Sequence, residues 1–277
     1  MHTQLFSNET FQLLLACLAL TGYGVLWTII FKQRLHNDKP SQSTRLSFLA
    51  SPVLLVHGLF LLCILLRNEG VQLGLVNVLC LIGWLTASMT VFSSVYRPTI
   101  SLSLLAFPLA MLSILAAQIF PSKASPLVDM ELTILSHILL SLLAFSILTI
   151  AAGQAVFIAA LDYRLHHHLT RSWHLTFPPL QTLEKSLFEI ISLGFLFLSL
   201  SILSGLLFLD DMFVQHVAHK TFFSIIAWLM FSILLLGRIK LGWRGNPAIK
   251  TTLAAYGFLF VAFIGSKFVL EILLQRL

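Results

Sequence analysis

The run LTILSHILLSLLAFSILTIAAGQAVFIAAL, residues 132–161, contains no Asp, Glu, Lys or Arg. Coiled as a helix at 1.5 Å per residue it extends about 45 Å, more than the roughly 30 Å hydrocarbon core of a bilayer. Its apolar residues do not alternate with polar ones, as a lipid-facing barrel strand requires, so the segment reads as a membrane-spanning helix. Similar runs recur to either side. Spans are predicted at 10–31, 46–66, 71–92, 98–119, 132–161, 187–209, 221–237 and 251–273, which makes the chain an all-α, polytopic transmembrane bundle of about eight helices. The whole composition agrees: 58% of the 277 residues are hydrophobic and 10% charged, with a mean hydropathy of +0.93. A water-soluble core of this size cannot enclose so much apolar surface.

An even number of spans puts both termini on one side. Cytoplasmic loops carry the excess of Lys and Arg. The odd-numbered loops hold Lys32, Arg34, Lys39 and Arg45, then Arg97, then Arg164, Arg171 and Lys185, then Arg238, Lys240, Arg244 and Lys250. The even-numbered loops hold Arg67, Lys123 and Lys220 beside Glu69, Asp129, Glu131, Asp210 and Asp211. Odd loops are therefore expected in the cytoplasm and both termini on the non-cytoplasmic side. No basic residue precedes the first span and no small-residue cleavage pattern follows it, so that span is expected to remain as an anchor. The net charge of +6 is spread over short loops at one membrane face. It suits topology and anionic headgroups, and it excludes a nucleic-acid groove.

No linker or repeat divides the sequence, and residues 1–277 read as a single membrane domain. The longest hydrophilic stretch, Asp162–Ser186, includes the run His166-His167-His168. Adjacent helical residues point about 100° apart, so three neighbouring histidines do not converge on one ion, and the stretch reads as solvated loop. Cys17, Cys63 and Cys80 fall in apolar spans without a CxxC pair and read as small buried hydrophobes. Pro52, Pro98 and Pro108 mark span starts or kinks; a proline inside a span leaves a carbonyl that a neighbouring helix must satisfy. Gly83, Gly153 and Gly205 permit close helix approach. Trp84, Trp228 and most of the 23 Phe read as core. Lys267 and Glu271, four apart near the end of the last span, read as an interfacial pair.

Ionisable groups inside a membrane are functional candidates because each is costly unless it faces the interior or a partner. His57 lies in the middle to outer part of span two. His137 lies one to two turns from the outer end of span five. His219 stands in the sixth loop directly before span seven, with His216 as a solvated neighbour. With the orientation above, three segments bring histidines toward the outer half of the bundle. Neutral imidazole is an axial ligand for haem iron, and an apolar bundle offers a slot for a flat macrocycle. Each histidine also admits a plainer reading, a hydrogen bond to a carbonyl or serine of a neighbouring helix, and His219 could cap span seven. No HExxH, GxSxG or P-loop occurs, and no pair of intramembrane carboxylates, so the chain is not expected to be an enzyme.

Three blocks of the second half carry a resemblance. They are Ile134-Leu-Ser-His137-Ile-Leu-Leu-Ser-Leu-Leu-Ala-Phe145; Leu183-Glu-Lys-Ser-Leu through Ile202-Leu-Ser-Gly205; and His219-Lys-Thr221 with Ser224-Ile-Ile-Ala-Trp228, Gly242-Trp-Arg-Gly245 and Gly265-Ser-Lys267. Together they resemble the CcsA/HemX-like cytochrome c assembly family, over a core at about residues 130–275. The resemblance implies a bacterial inner-membrane protein that binds haem, taken as haem b. It implies His137 as one iron ligand, with His57 or His219 proposed from position as the other. Cytochromes or other haem-handling membrane proteins, and membrane lipid, are the implied partners. Where the family's synthases carry a tryptophan-rich WGxxWxWD stretch, this chain has Phe208-Leu-Asp-Asp-Met-Phe-Val-Gln-His-Val-Ala-His219. That difference implies an accessory or regulatory haem protein rather than a synthase. The rival expectation is a haem-free accessory subunit or small-solute carrier that kept the bundle.

Overall fold

The computed structural model describes residues 9–35, 43–67, 70–96, 102–122, 131–166, 179–208 and 218–265. Eight α-helices account for nearly all of them. They are α1 (Glu9–Leu35), α2 (Ser43–Leu65), α3 (Leu75–Tyr96), α4 (Ser103–Ile119), α5 (Leu132–His166), α6 (Leu180–Phe208), α7 (Ala218–Leu241) and α8 (Asn246–Phe260). A π-helical turn, Val261–Gly265, continues α8. A minimal antiparallel pair, β1 (Leu66–Arg67) and β2 (Gly70–Val71), lies between α2 and α3, with Leu66 opposite Val71. Seven helices are long and apolar enough to cross a membrane; α4 is apolar but has 17 residues. The transmembrane bundle read from the sequence is the observed architecture.

The surface is that of a lipid-solvated protein. Leu13, Phe48, Leu55, Phe92, Leu196 and Leu236 are exposed, whereas Ser47, Asn77, Thr90, Ser146, Gln154 and Thr252 are buried. In lipid the polar side chains are the ones that need shelter, because only protein groups are there to bond them.

Several boundaries differ from the sequence expectation, mostly by charged helix ends. Residues 162–166 extend α5, and 180–186 begin α6, so much of the Asp162–Ser186 stretch is helix rather than loop. Arg164 and His166 lie in the last turn of α5, and Arg238 and Lys240 in that of α7. Basic side chains there favour continued helix, complementing the carbonyl end of the macrodipole while their stems stay on apolar surface. His219 and Lys220 belong to the first turn of α7 instead of a loop. The Gly242-Trp-Arg-Gly245 segment is the α7–α8 turn. Gly242 and Gly245 sit at φ +66° and +65°, where only glycine is unstrained. The Trp243 N–H donates to the Gly237 carbonyl, the Gly245 N–H donates to Glu184 Oε1 at 2.9 Å, and Arg238 lies over the Phe188 ring.

The helices group into two compact units, α1–α4 with the β pair, and α5–α8. In the first unit α1 packs on α2, α2 on α3, α3 on α4, and α4 back on α1. Cross-contacts climb one helix as they descend the next: Gln12 meets Gln118 and Trp27 meets Leu104. The ring is thus an up-and-down four-helix bundle. Its core stripe on α1 is Ala16, Ala19, Tyr23, Leu26 and Ile30, the three-and-four spacing that keeps one helix face inward. Cys17 lies off this stripe and is exposed, correcting its assignment as a buried hydrophobe; Cys63 and Cys80 are buried. Gly83 lets α3 approach α4, since a Cβ there would collide with Ser113 Oγ.

Pro108 lies inside α4 and cannot donate to the Leu104 carbonyl. The Trp27 indole donates to that oxygen instead, at 3.1 Å. We expect Trp27→Phe to cost about 1–2 kcal/mol by orphaning the carbonyl, and to cost less than half of that in a Pro108→Ala background, where the helix recovers its own donor. Thermal unfolding of the four proteins in detergent measures this coupling; equal costs in both backgrounds would refute the pairing.

The second unit repeats the plan. Helix α5 packs on α6, α6 on α7, α7 on α8, and α8 back on α5. His137 with Ser204 and Gln154 with Leu183 show α5 and α6 running oppositely. Gly194 of α6 rests on Leu148 and Ile147 of α5, where a Cβ would come within 2.7 Å of Leu148 side-chain atoms.

Candidate functional site

The structure treats the predicted histidines differently. His57, on α2, has no accessible surface, and neither have Tyr23 of α1 and Cys80 of α3. Its Nδ1 is 3.0 Å from Tyr23 Oη and its Nε2 is 3.3 Å from Cys80 Sγ. These two contacts join α1, α2 and α3 of the first unit through one side chain and occupy both imidazole nitrogens, whichever tautomer the ring adopts. Ser113 Oγ of α4 donates to the Ala110 carbonyl at 2.8 Å. Phe107 closes over Tyr23 with ring centroids 5.2 Å apart. In this geometry His57 presents no lone pair to a ligand. Cys80 is more than a small hydrophobe, its sulfur being bonded to His57 Nε2.

His137 belongs to the second unit, on the second turn of α5. It is partly exposed, and Nδ1 lies 3.0 Å from Ser204 Oγ near the end of α6. Ser204 has one hydroxyl proton, which it donates to the Ser201 carbonyl at 2.8 Å. Its oxygen therefore accepts, and Nδ1 of the neutral ring carries the hydrogen. With Nδ1 protonated and held, the lone pair of the neutral ring is on Nε2. A histidine whose second nitrogen is tied to a fixed acceptor is the arrangement that orients imidazole as a metal ligand.

Two further side chains join it. Lys220, in the first turn of α7, is close enough to His137 for their charges to interact, and its ammonium lies over the Phe263 ring at 5.2 Å. Phe263 belongs to the π-helical turn after α8, a geometry that recurs at functional sites. It stacks on Phe145 of α5 at 4.9 Å, and Phe145 in turn contacts Tyr256, whose hydroxyl is 2.9 Å from Thr149 Oγ1. The backbone of His219 is next to Lys220, so His137 and His219 belong to one unit and His57 to the other. His216 and the segment from residue 209 to 217 lie outside the described residues, as do Lys267 and Glu271. Lys220 was legible in the sequence only as a loop charge. What marked it was its place directly after His219 at the start of an apolar run.

Trp84 and Trp228 serve packing: their indoles donate to the Leu54 carbonyl and to Ser199 Oγ. His166 is exposed and bonds to Asp162 one turn back. Among the described residues no three His, Cys, Asp or Glu gather as they would around a bare metal ion. Haem asks less of the protein, because the porphyrin supplies four donors and the polypeptide one or two. A single oriented imidazole beside an aromatic wall therefore fits a macrocycle-bound iron better than a free cation.

The sequence model of the family described as "Cytochrome C assembly protein" matches residues 7–274. The chain is 28% identical over 262 residues to the inner membrane protein YpjD of Escherichia coli K12, covering 93% of this chain and 98% of that one. It is 31% identical over 146 residues to the cytochrome c biogenesis protein CcsA of Chlamydomonas reinhardtii, covering 51% of this chain and 39% of the relative. Against CcsA of Synechococcus elongatus it is 31% identical over 87 residues, 30% of this chain and 26% of that one. No solved structure matches the chain.

Proposed function

This chain belongs to the cytochrome c assembly protein family, and from that membership we propose that it is a non-enzymatic haem-binding protein of a bacterial inner membrane, serving haem handling or cytochrome c assembly. The observation that carries the proposal is the His137–Ser204 bond, which leaves Nε2 as the lone-pair nitrogen of a neutral, oriented imidazole. His137 is the first iron ligand, and His219, in the same unit, is the candidate for the second. Bound haem, taken as haem b, would supply an iron centre able to change oxidation state. The protein's part is to ligate it, hold its orientation and shield it in an apolar bundle. The orientation expected from loop charges puts the starts of α5 and α7 toward the non-cytoplasmic face. The relative's name, inner membrane protein, supports the location.

The test is an absorption spectrum of protein purified in mild detergent and loaded with haem, oxidised and reduced, for the wild type beside His137→Ala, His219→Ala and His57→Ala. A Soret band that depends on His137 supports the proposal, and a featureless wild-type spectrum after haem addition overturns it. Ser204→Ala provides a graded check. Removing the acceptor that orients His137 is expected to weaken haem binding about 10- to 100-fold, as loss of an outer-shell partner does at metal sites, without abolishing the Soret band. Unchanged affinity in Ser204→Ala would show that this bond has no part in presenting the ligand.

A further inference from the structure

We infer that Lys220 is the anion-recognising residue of the His137 site, and that the ligand this site selects is a porphyrin bearing free carboxylates. The inference rests on the haem reading and adds to it the part of the ligand that is not iron.

Among the described residues Lys220 is a cation without a counterion. The described residues give it no ion pair. Its contacts are the Phe263 ring and the electrostatic proximity of His137. Glu131, the described carboxylate at the start of α5, is exposed and accepts from Thr133 Oγ1. Glu184 belongs to the opposite end of α6, where it takes the Gly245 N–H; Asp129, Asp210 and Asp211 lie outside the described residues. An ammonium in an apolar bundle is costly to hold unpaired. Its position adds to the cost, because the first turn of a helix carries the positive end of the macrodipole and disfavours a further cation. Two positive features, the ammonium and the positive end of the α7 macrodipole, therefore meet beside an imidazole with a lone-pair nitrogen to offer.

A ligand that relieves this arrangement needs a negative group within reach of an iron-binding imidazole and an apolar body to lie against aromatic rings. A porphyrin carboxylate has that combination. A Lys–carboxylate contact in a site of low polarity is a charge-assisted hydrogen bond. The cation–π contact with Phe263 holds the ammonium in place before the ligand arrives, and the Phe145–Phe263 stack offers the apolar face. His137 then reads the metal and Lys220 reads the acid.

The experiment compares iron protoporphyrin IX with its dimethyl ester, and metal-free protoporphyrin IX with its own dimethyl ester, by absorbance and fluorescence titration of the purified full chain in lipid nanodiscs. Wild type, Lys220→Met, Lys220→Arg and His137→Ala are titrated side by side. Wild type is expected to bind the free acids about 10- to 100-fold more tightly than the esters, the worth of a hydrogen bond to a charged group. Lys220→Met should lose that preference while its Soret position stays that of the wild type, and Lys220→Arg should keep most of it. Metal-free protoporphyrin should depend on Lys220 and not on His137. Wild-type protein that does not distinguish acid from ester, or Lys220→Met protein that still does, overturns the inference and leaves the haem reading intact. Wild-type protein that binds neither porphyrin overturns both.

Discussion

His57→Ala is expected to lower stability by about 2–4 kcal/mol and to leave the haem spectrum of the surviving folded protein unchanged. The imidazole joins α1 and α3 from α2 with no accessible surface. Truncation removes a ring from a close-packed core, which leaves a cavity. It also strips the Tyr23 hydroxyl and the Cys80 thiol of the ring nitrogens they bond, and each buried polar group without a partner costs about 1–3 kcal/mol, less where the surrounding bundle relaxes or offers another partner. Tyr23→Phe and Cys80→Ala each delete one end of the chain of bonds, and each is expected to cost about 1 kcal/mol. Their double mutant should show less than additive loss, because a network of bonds is not a sum of pairs. Thermal unfolding in detergent, followed by tryptophan fluorescence, reads all four variants. A His57→Ala protein of wild-type stability that had lost its Soret band would reverse the assignment and make His57 a ligand.

The opposite pattern is expected of His137→Ala, namely loss of more than about 100-fold in haem affinity with a stability change under about 1 kcal/mol. The side chain is partly exposed and makes one side-chain hydrogen bond. Ser204 keeps its bond to the Ser201 carbonyl when the ring is gone, so no buried donor is orphaned and only the net worth of one bond is lost. Haem affinity falls much further, because an axial ligand is a direct bond to the metal and not an orienting contact. Titration of haem into both variants, with the unfolding midpoint measured on the same samples, separates the roles. A His137→Ala protein that binds haem with wild-type affinity and spectrum would remove this residue from the site.

These two histidines are alike in the sequence and differ in the structure by their hydrogen bonds. Both are imidazoles in apolar spans, and the cost of burying them flags both equally. The plainer reading, a hydrogen bond to a neighbouring helix, turns out to apply to each. Histidine has two ring nitrogens, however, and the question that matters is how many are engaged. For His57 the answer depends on Tyr23 and Cys80, 34 and 23 residues away. For His137 it depends on the proton of Ser204, 67 residues away. No local pattern encodes those partners.

Sequence by itself determined that the chain is a bundle of apolar helices and where most of them run. These follow from local physics, since a segment in lipid must bond its own backbone and hydrophobic length decides whether it can span. The pairing of Pro108 with a donor on another helix was legible as a need but not as Trp27. The closure of α1–α4 and of α5–α8 into separate rings, the engagement of both His57 nitrogens, and the convergence of His137, Lys220 and Phe263 were decided only in the tertiary structure. Crossing partners depend on which faces of distant helices meet, and in a chain apolar on almost every face the hydrophobic pattern cannot say which face that is.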